Sequence, residues 1–206
     1  MQSLSRRSPL LILAAVIFAS FACNHAIPHF GIGGRYEEGK EQFLRGRGGD
    51  MDVAVVALEA VVSQDPTYKD SLTYLGRAYY RTNKYQPAHA ILQRALVVNK
   101  EDEMAWLAFG MTQLRLGQHD AALESLKGGI TLASKVMVNG YQNFLYFDTR
   151  GLIRAQIRRC AFLLTKGIEE KENILSTTDR LMALVDDEVN FQRNTRIQNN
   201  RPLYGG

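Results

Sequence analysis

Four histidines and two cysteines are the side chains best suited to hold a metal or to attack a carbonyl carbon. His25 and His29 stand four apart, the separation at which two imidazoles meet one metal ion on a helix. Pro28 lies between them and Gly31, Gly33 and Gly34 follow, so this stretch reads as linker and offers no third ligand. His89 and His119 fall at unrelated points and read as surface or boundary residues. Cys160 shares an apolar stripe with Leu152, Ile153, Ile157, Ala161 and Leu164, the setting of a buried thiol and not of a nucleophile. Gly31-Ile32-Gly33-Gly34 and Gly46-Arg47-Gly48-Gly49 are rich in glycine, yet neither follows a strand, as a phosphate-binding loop must. No nucleophile elbow marks a serine or cysteine triad. The expectation is a chain with no catalytic residues, no metal and no cofactor.

Charge offers a different chemistry. Arg150, Arg154 and Arg158 recur every four residues and would stack along one helix face, repelling by ~0.2–0.5 kcal/mol per pair unless an acid compensates. Either an acidic partner or anionic headgroups meet them, or Asp186, Asp187 and Glu188 pair with them inside the chain, or water alone solvates them. The formal net charge of +4 would suit nucleic acid, but the basic residues are not interleaved with aromatics, and no nucleic-acid partner is expected. With 206 residues, 46% of them apolar and 22% charged, the composition is globular, which excludes both wholesale disorder and a polytopic membrane protein. Two cysteines exclude a disulfide framework.

The chain opens with Arg6 and Arg7 and an apolar run from Leu10 to Ala22, followed at once by Cys23. Thirteen helical residues rise about 20 Å, too short for a hydrocarbon core of about 30 Å. A positive start, a short apolar stretch and a small residue before the cut fit an export signal. With cysteine directly after Ala22, residues 1–22 resemble a bacterial lipoprotein signal peptide. That resemblance implies cleavage before Cys23 and acylation of its thiol, though Ser20 and Phe21 stand where the family places leucine and a small residue. Ordinary cleavage at the same bond is the alternative, leaving Cys23 a plain thiol. Asn24, not aspartate, follows the cysteine, which by the same resemblance implies a periplasm-facing protein on the outer membrane; the alternative is a soluble periplasmic or secreted one. Losing Arg6 and Arg7 lowers the net charge from +4 to +2. Residues 23–34 are expected to form a flexible tether.

The body repeats itself. Leu72, Leu75, Gly76, Ala88, Leu92 and Ala95 are matched 34 positions on by Trp106, Phe109, Gly110, Ala122, Leu126 and Gly129. A weaker copy lies 34 positions earlier, with Ala54, Leu58 and Val61, closing on Asp65-Pro66-Thr67-Tyr68. There Glu38, Glu41 and Gln42 replace the bulky residues and the glycine. Asn83-Lys84 and Gly117-Gln118-His119-Asp120 supply turns, and Asp50 a cap. Over residues 35–136 the chain resembles the tetratricopeptide-repeat family, which implies an all-α solenoid of about three helix pairs. So few pairs bury their faces only against neighbours, so residues 137–192 are expected to add two long capping helices. Their stripes are Leu152 to Leu164, then Ile174, Leu175, Leu181, Met182, Val185 and Val189. Residues 193–206 are expected to be a mobile tail.

In this family the first helix of each pair lines a concave groove. The resemblance implies that Thr73, Arg77, Tyr80 and Arg81, then Leu107, Met111, Leu114 and Arg115, and in the first copy Phe43 and Arg47, face a peptide or a partner helix. Apolar, aromatic and guanidinium groups together suit a peptide with hydrophobic anchors and carboxylates. The expected function is a membrane-anchored, non-catalytic protein–protein interaction scaffold for an envelope protein or peptide. The alternative is a structural subunit buried permanently in a larger envelope, pilus or secretion assembly. The lipid reading has a direct check: Cys23→Ser should move the protein from the membrane to the soluble fraction on cell fractionation, and an unchanged membrane fraction would contradict acylation.

Overall fold

The structure, a computed structural model, describes residues 31–139 and 147–199. Eight α-helices occupy them: α1 Gly31–Leu44, α2 Met51–Gln64, α3 Ser71–Arg81, α4 Tyr85–Val98, α5 Glu103–Arg115, α6 His119–Asn139, α7 Leu152–Lys166 and α8 Lys171–Asn199. Each helix packs on the next in the chain, α1 with α2, α3 with α4 and α5 with α6 forming the pairs. This is a tetratricopeptide-type solenoid, with α7 and α8 closing it. No described helix is long and apolar enough to cross a membrane. Cys23, His25 and His29 lie outside the described residues.

The repeat is built on one contact. A Cβ added to Gly76 would stand 2.5 Å from Leu92 Cγ, and one on Gly110 would stand 2.6 Å from Leu126 Cγ and 3.0 Å from the Ala122 carbonyl. Only hydrogen at these positions lets the leucine of the second helix seat against the backbone of the first. Ala88, Leu92, Ala122 and Leu126 are all at 0% exposure. Burying one such leucine is worth about 1.5–3 kcal/mol.

The first repeat obeys the same rule in a different register. Its leucine is Leu58, 34 positions before Leu92, but the glycine beneath it is Gly39, where a Cβ would lie 2.7 Å from Leu58 Cγ. Gly39 precedes Gly76 by 37 positions. The difference sits in the turn: residues 45–50 join α1 to α2, against 82–84 and 116–118 in the later pairs. The three extra residues form a 3-10 turn at Gly46–Gly48. The expectation that Gln42 stands in the glycine's place is therefore corrected, because a fixed offset of 34 cannot cross an insertion.

Local signals start and stop the helices as their chemistry requires. Asp50 Oδ1 accepts from the amides of Asp52 and Val53 at 3.0 and 3.1 Å, and Asp102 Oδ1 from that of Ala105 at 2.8 Å. Gly117, at φ +79°, closes α5 in the left-handed region that glycine enters without strain. Asp148, 2% exposed, caps α7 through the amides of Ile153 and Arg154 at 2.9 and 3.0 Å.

Two boundaries move. Gly31–Gly34, expected in the tether, form the first turn of α1, a helix held in place by fully buried Phe43 and by Tyr36 at 2% exposure. Helix α8 runs on past Arg193, where the tail was expected to begin, to Asn199. Once the buried stripe from Ile174 to Val189 is anchored, its polar continuation adds backbone hydrogen bonds without new nucleation.

The α7–α8 hairpin turns at Gly167, with a 3-10 turn over Gly167–Glu170. Gln156 Nε2 donates to the Thr177 carbonyl at 3.0 Å, and Cys160 Sγ lies 4.0 Å from Thr178 Oγ1. Burial pushes the Cys160 thiol up to about 11, so it stays protonated and packs as a small apolar group.

A substitution pair tests the glycine seat. Gly110→Ala should destabilise the fold by about 1–3 kcal/mol through overpacking against Leu126. Gly128→Ala, on the same repeat with open space around its Cβ, should gain about 0.5–1 kcal/mol. Urea unfolding measures both, and equal midpoints would contradict the seat.

Candidate functional site

The first helices of the pairs, α1, α3 and α5, form one concave face, and α8 lies along it. Helix α8 packs directly on α5 and α1 and reaches α3 through side chains. Its direction follows from its neighbours. Leu175, Ser176 and Asp179 line a cleft with Tyr80, Arg81 and Arg115, at the C-terminal ends of α3 and α5. Val185, Asp186 and Val189 line another with Thr73, Tyr74 and Met104, near the N-terminal ends. Helix α8 is thus antiparallel to the helices beneath it.

The centre of this contact is ionic. Asp186, 6% exposed and flanked on its stripe by Met182, Val185 and Val189, accepts from Arg77 Nη2 at 2.6 Å and Arg81 Nη2 at 3.3 Å. Arg81 Nη1 also donates to the Phe43 carbonyl at 3.0 Å. Both guanidinium groups lie over the Phe43 ring, 4.7 Å (Arg77) and 3.9 Å (Arg81) from its centroid. Phe43 meets Tyr74 edge-to-face at 5.2 Å. Burial and the neighbouring Arg77 draw the Arg81 pKa below its ordinary value, and Asp186 opposes them. At one side, Thr73 Oγ1 donates to Asp102 Oδ2 at 2.6 Å. Burial pushes the Asp102 carboxyl above the usual carboxylate range, against the Thr73 and Ala105 hydrogen bonds. Beyond it, Tyr36 donates to Asp70 and accepts from Lys40 Nζ at 2.9 Å, while Lys40 pairs with Asp70 at 3.5 Å.

Most of the sequence-predicted groove residues do come together here, with their exposure set by α8. Thr73, Arg77, Met111 and Phe43 are all buried. Leu107 and Leu114, seven positions apart and so on one side of α5, are buried on the side toward the second helix of their own pair and not in the groove: a Cβ on Gly129 would stand 2.9 Å from Leu107 Cδ2. Arg47 falls in the inserted 3-10 turn, off the face that α1 presents, and its side chain lies outside the described ones. What remains open is the end of the groove. Tyr80 is half-buried, with its ring 5.7 Å from Tyr85, and Arg115, with 36% of its side chain exposed, meets Glu172 of α8 at 3.7 Å. Together with Arg81, Asn83 and Asp179 they border a cleft of about 390 Å³. Burial raises the Tyr80 phenol above its ordinary pKa, leaving a neutral donor at the cleft wall.

The arginine stripe is shorter than its spacing implies. Arg150 precedes α7 in the Asp148–Gly151 turn; Arg154 and Arg158 are exposed on the helix. Arg154 lies 3.6 Å from Asp148 and donates to its carbonyl at 3.2 Å. Asp186 is engaged by the groove and not by this stripe; Asp187 is exposed, and Glu188 accepts from Gln192 at 2.9 Å. Sequence reasoning missed Asp186 as a groove ligand, and the missed signal was a lone carboxylate inside an apolar stripe. It also missed Tyr36 and Lys40, which the insertion hid. Among the described residues no group of three His, Cys, Asp or Glu is placed to hold a metal.

Comparison with known proteins fits this architecture. A family model described as anaphase-promoting complex, cyclosome, subunit 3 matches residues 48–129. Low calcium response locus protein H of Yersinia pestis is 28% identical over 100 residues, 48% of this chain and 55% of that protein. The human PEX5-related protein is 28% identical over 97 residues, 47% of this chain and 15% of that protein. The chain therefore spans about half or less of these curated relatives. The crystal structure of MamA protein aligns with a TM-score of 0.50 at 19% identity, covering 85% of this chain and 80% of that one, a likeness of fold. The fold is that of a tetratricopeptide-type helical solenoid.

The ionic centre has a measurable consequence. Asp186→Ala strips the buried Arg77 guanidinium of the α8 carboxylate and should cost about 3–5 kcal/mol in urea unfolding, with faster amide exchange along α8. Arg77→Met combined with Asp186→Leu should recover most of that loss, because an apolar pair removes the buried charges together.

Proposed function

We propose that this protein is a non-catalytic interaction scaffold of a bacterial envelope, tethered by an acylated Cys23 and recruiting a protein partner through the open end of its groove. The observation that carries the reading is the groove's own occupant. Helix α8 is held by apolar side chains and one carboxylate set against paired arginines, so the concave face is chemically selective for an amphipathic, acidic segment. A partner segment of the same character meets that chemistry again at the cleft, where Tyr80, Arg81 and Arg115 face solvent beside α8. A partner carboxylate there would replace exposed Glu172 on Arg115, exchanging one ion pair for another at small cost. Repeat scaffolds of tetratricopeptide type bind protein partners, and that supports the class of ligand. The envelope setting rests on the sequence around Cys23.

A second reading, a structural subunit, is favoured by the same helix from the opposite direction: α8 already fills the middle of the groove. Exposed Val138 (85%) and Phe191 (63%) would then be covered in the assembly. Crosslinking in intact cells followed by pull-down and mass spectrometry identifies the partner in either case.

Arg115 gives the cleanest variant, since Arg81 also holds Phe43 and Asp186 in place. Arg115→Glu should reduce crosslinked capture at least tenfold while leaving circular dichroism and the urea midpoint unchanged. Undiminished capture would remove the cleft from consideration, and aggregation of the purified chain in the absence of partner would favour the subunit reading.

A further inference from the structure

Helix α7 is amphipathic in a way that its place in the fold does not require. Positions advance by about 100° per residue around a helix. With Ile153, Ile157, Cys160 and Leu164 buried on the inner side, Phe162 falls at the middle of the outer one. Phe162 is 59% exposed. Arg158, Arg159 and Lys166 flank it, all exposed, with Lys166 Nζ 5.2 Å from the centroid of its ring. Arg154 stands at one margin, leaning toward Asp148, and Leu152, 45% exposed, at the other. The helix contains no aspartate or glutamate. The acids that follow, Glu169 and Glu170, lie in the turn beyond its end.

We propose that this outer ridge of α7 docks on the surface of an anionic lipid bilayer. Three cationic side chains, Arg158, Arg159 and Lys166, on a fifteen-residue helix with no acid of its own match a layer of phosphates, with Arg154 at the margin already beside Asp148. An exposed aromatic ring ringed by those cations matches the boundary just beneath the headgroups, where it leaves water without needing a pocket. An acidic protein would satisfy the charges, but it would have to supply a recess for Phe162, whereas a bilayer forms one around it. The ridge is convex, and none of its side chains borders the groove clefts.

Docking this way also orients the groove. On α8 the Thr177 carbonyl and the Thr178 hydroxyl contact α7, while Leu175, Ser176 and Asp179 line the open cleft from the opposite side of the helix. A bilayer against α7 therefore leaves the cleft facing away from the membrane, free for a partner. The inference goes beyond the scaffold reading: the contact orients the protein at the surface and, being reversible, does not by itself retain the Cys23→Ser chain on membranes through cell fractionation.

The test uses residues 23–206 carrying Cys23→Ser, so that neither a lipid nor the apolar run Leu10–Ala22 is attached, and phosphatidylcholine vesicles with or without phosphatidylglycerol. Co-sedimentation should be stronger with phosphatidylglycerol. Arg158→Glu with Arg159→Glu should weaken binding to those vesicles at least tenfold, since each cation near the surface contributes about fivefold. Arg6, Arg7 and the signal segment are absent from both proteins, so the comparison between variants isolates the ridge. Phe162→Trp should show a blue-shifted emission on the anionic vesicles only, read against the wild-type signal of Trp106. If the double variant loses helicity by circular dichroism, Arg158→Gln with Arg159→Gln repeats the test without added acids. Equal binding by wild type and the charge variants, or an unshifted emission from the tryptophan at 162, would overturn the proposal. So would binding to polyglutamate without a preference for anionic vesicles, which would assign the ridge to an acidic protein.

Discussion

The contact on which the solenoid depends is a leucine seated against a glycine: Leu58 on Gly39, Leu92 on Gly76, Leu126 on Gly110. Two helices in a pair come no closer than their smallest facing residues allow. Hydrogen at the glycine lets the leucine descend onto the facing backbone, with the alanine one turn earlier in the second helix completing the close approach. The same geometry in all three pairs sets how each presents its first helix, and so aligns α1, α3 and α5 into one continuous concave face. The loss of helix propensity at each glycine, ~1 kcal/mol, is outweighed by the leucine it allows to be buried.

A concave face made this way is apolar enough to need covering, and α8 covers it. The helix is buried on two sides, toward α7 and toward the groove, which is why its apolar residues form a broad stripe with polar residues set into it. Thr177 and Thr178 meet α7, and Asp186 meets the arginines. A buried carboxylate between two guanidiniums is a weak source of net stability, since desolvation offsets the attraction. Its stronger effect is on register: sliding α8 along the face would leave Arg77 and Asp186 both buried without each other. The ion pair therefore fixes where α8 stops, and with it the extent of groove left open around Arg115.

The protein thus presents two surfaces of different character on opposite sides of α8. One is a cleft with guanidinium, phenol and amide groups, concave and suited to a peptide segment. The other is the convex cationic ridge of α7 around Phe162, suited to a surface without defined shape. The membrane-tethered scaffold proposed above would use both, one to recruit and one to orient.

Repetition made the fold legible in the sequence. Gly76 with Leu92 and Gly110 with Leu126 recur at one spacing because each pair solves the same packing problem, and local chemistry at Asp50, Asn83 and Gly117 marks where helices begin and end. Burial of Ile174, Leu181 and Val185 was likewise written in their helical period. The first repeat was half legible: Leu58 kept phase, while three inserted residues moved Gly39, Tyr36 and Lys40 out of it. What only the tertiary structure decided is which buried face meets which. Periodicity specifies that a stripe is covered, but not by what, since hydrophobic burial is non-directional and any apolar surface satisfies it. The pairing of Asp186 with Arg77 and Arg81, and not with the arginines of α7, joins residues more than a hundred positions apart. No local pattern encodes that choice; it follows from α8 lying along the groove, which places one carboxylate over the arginines of α3 and turns those of α7 outward.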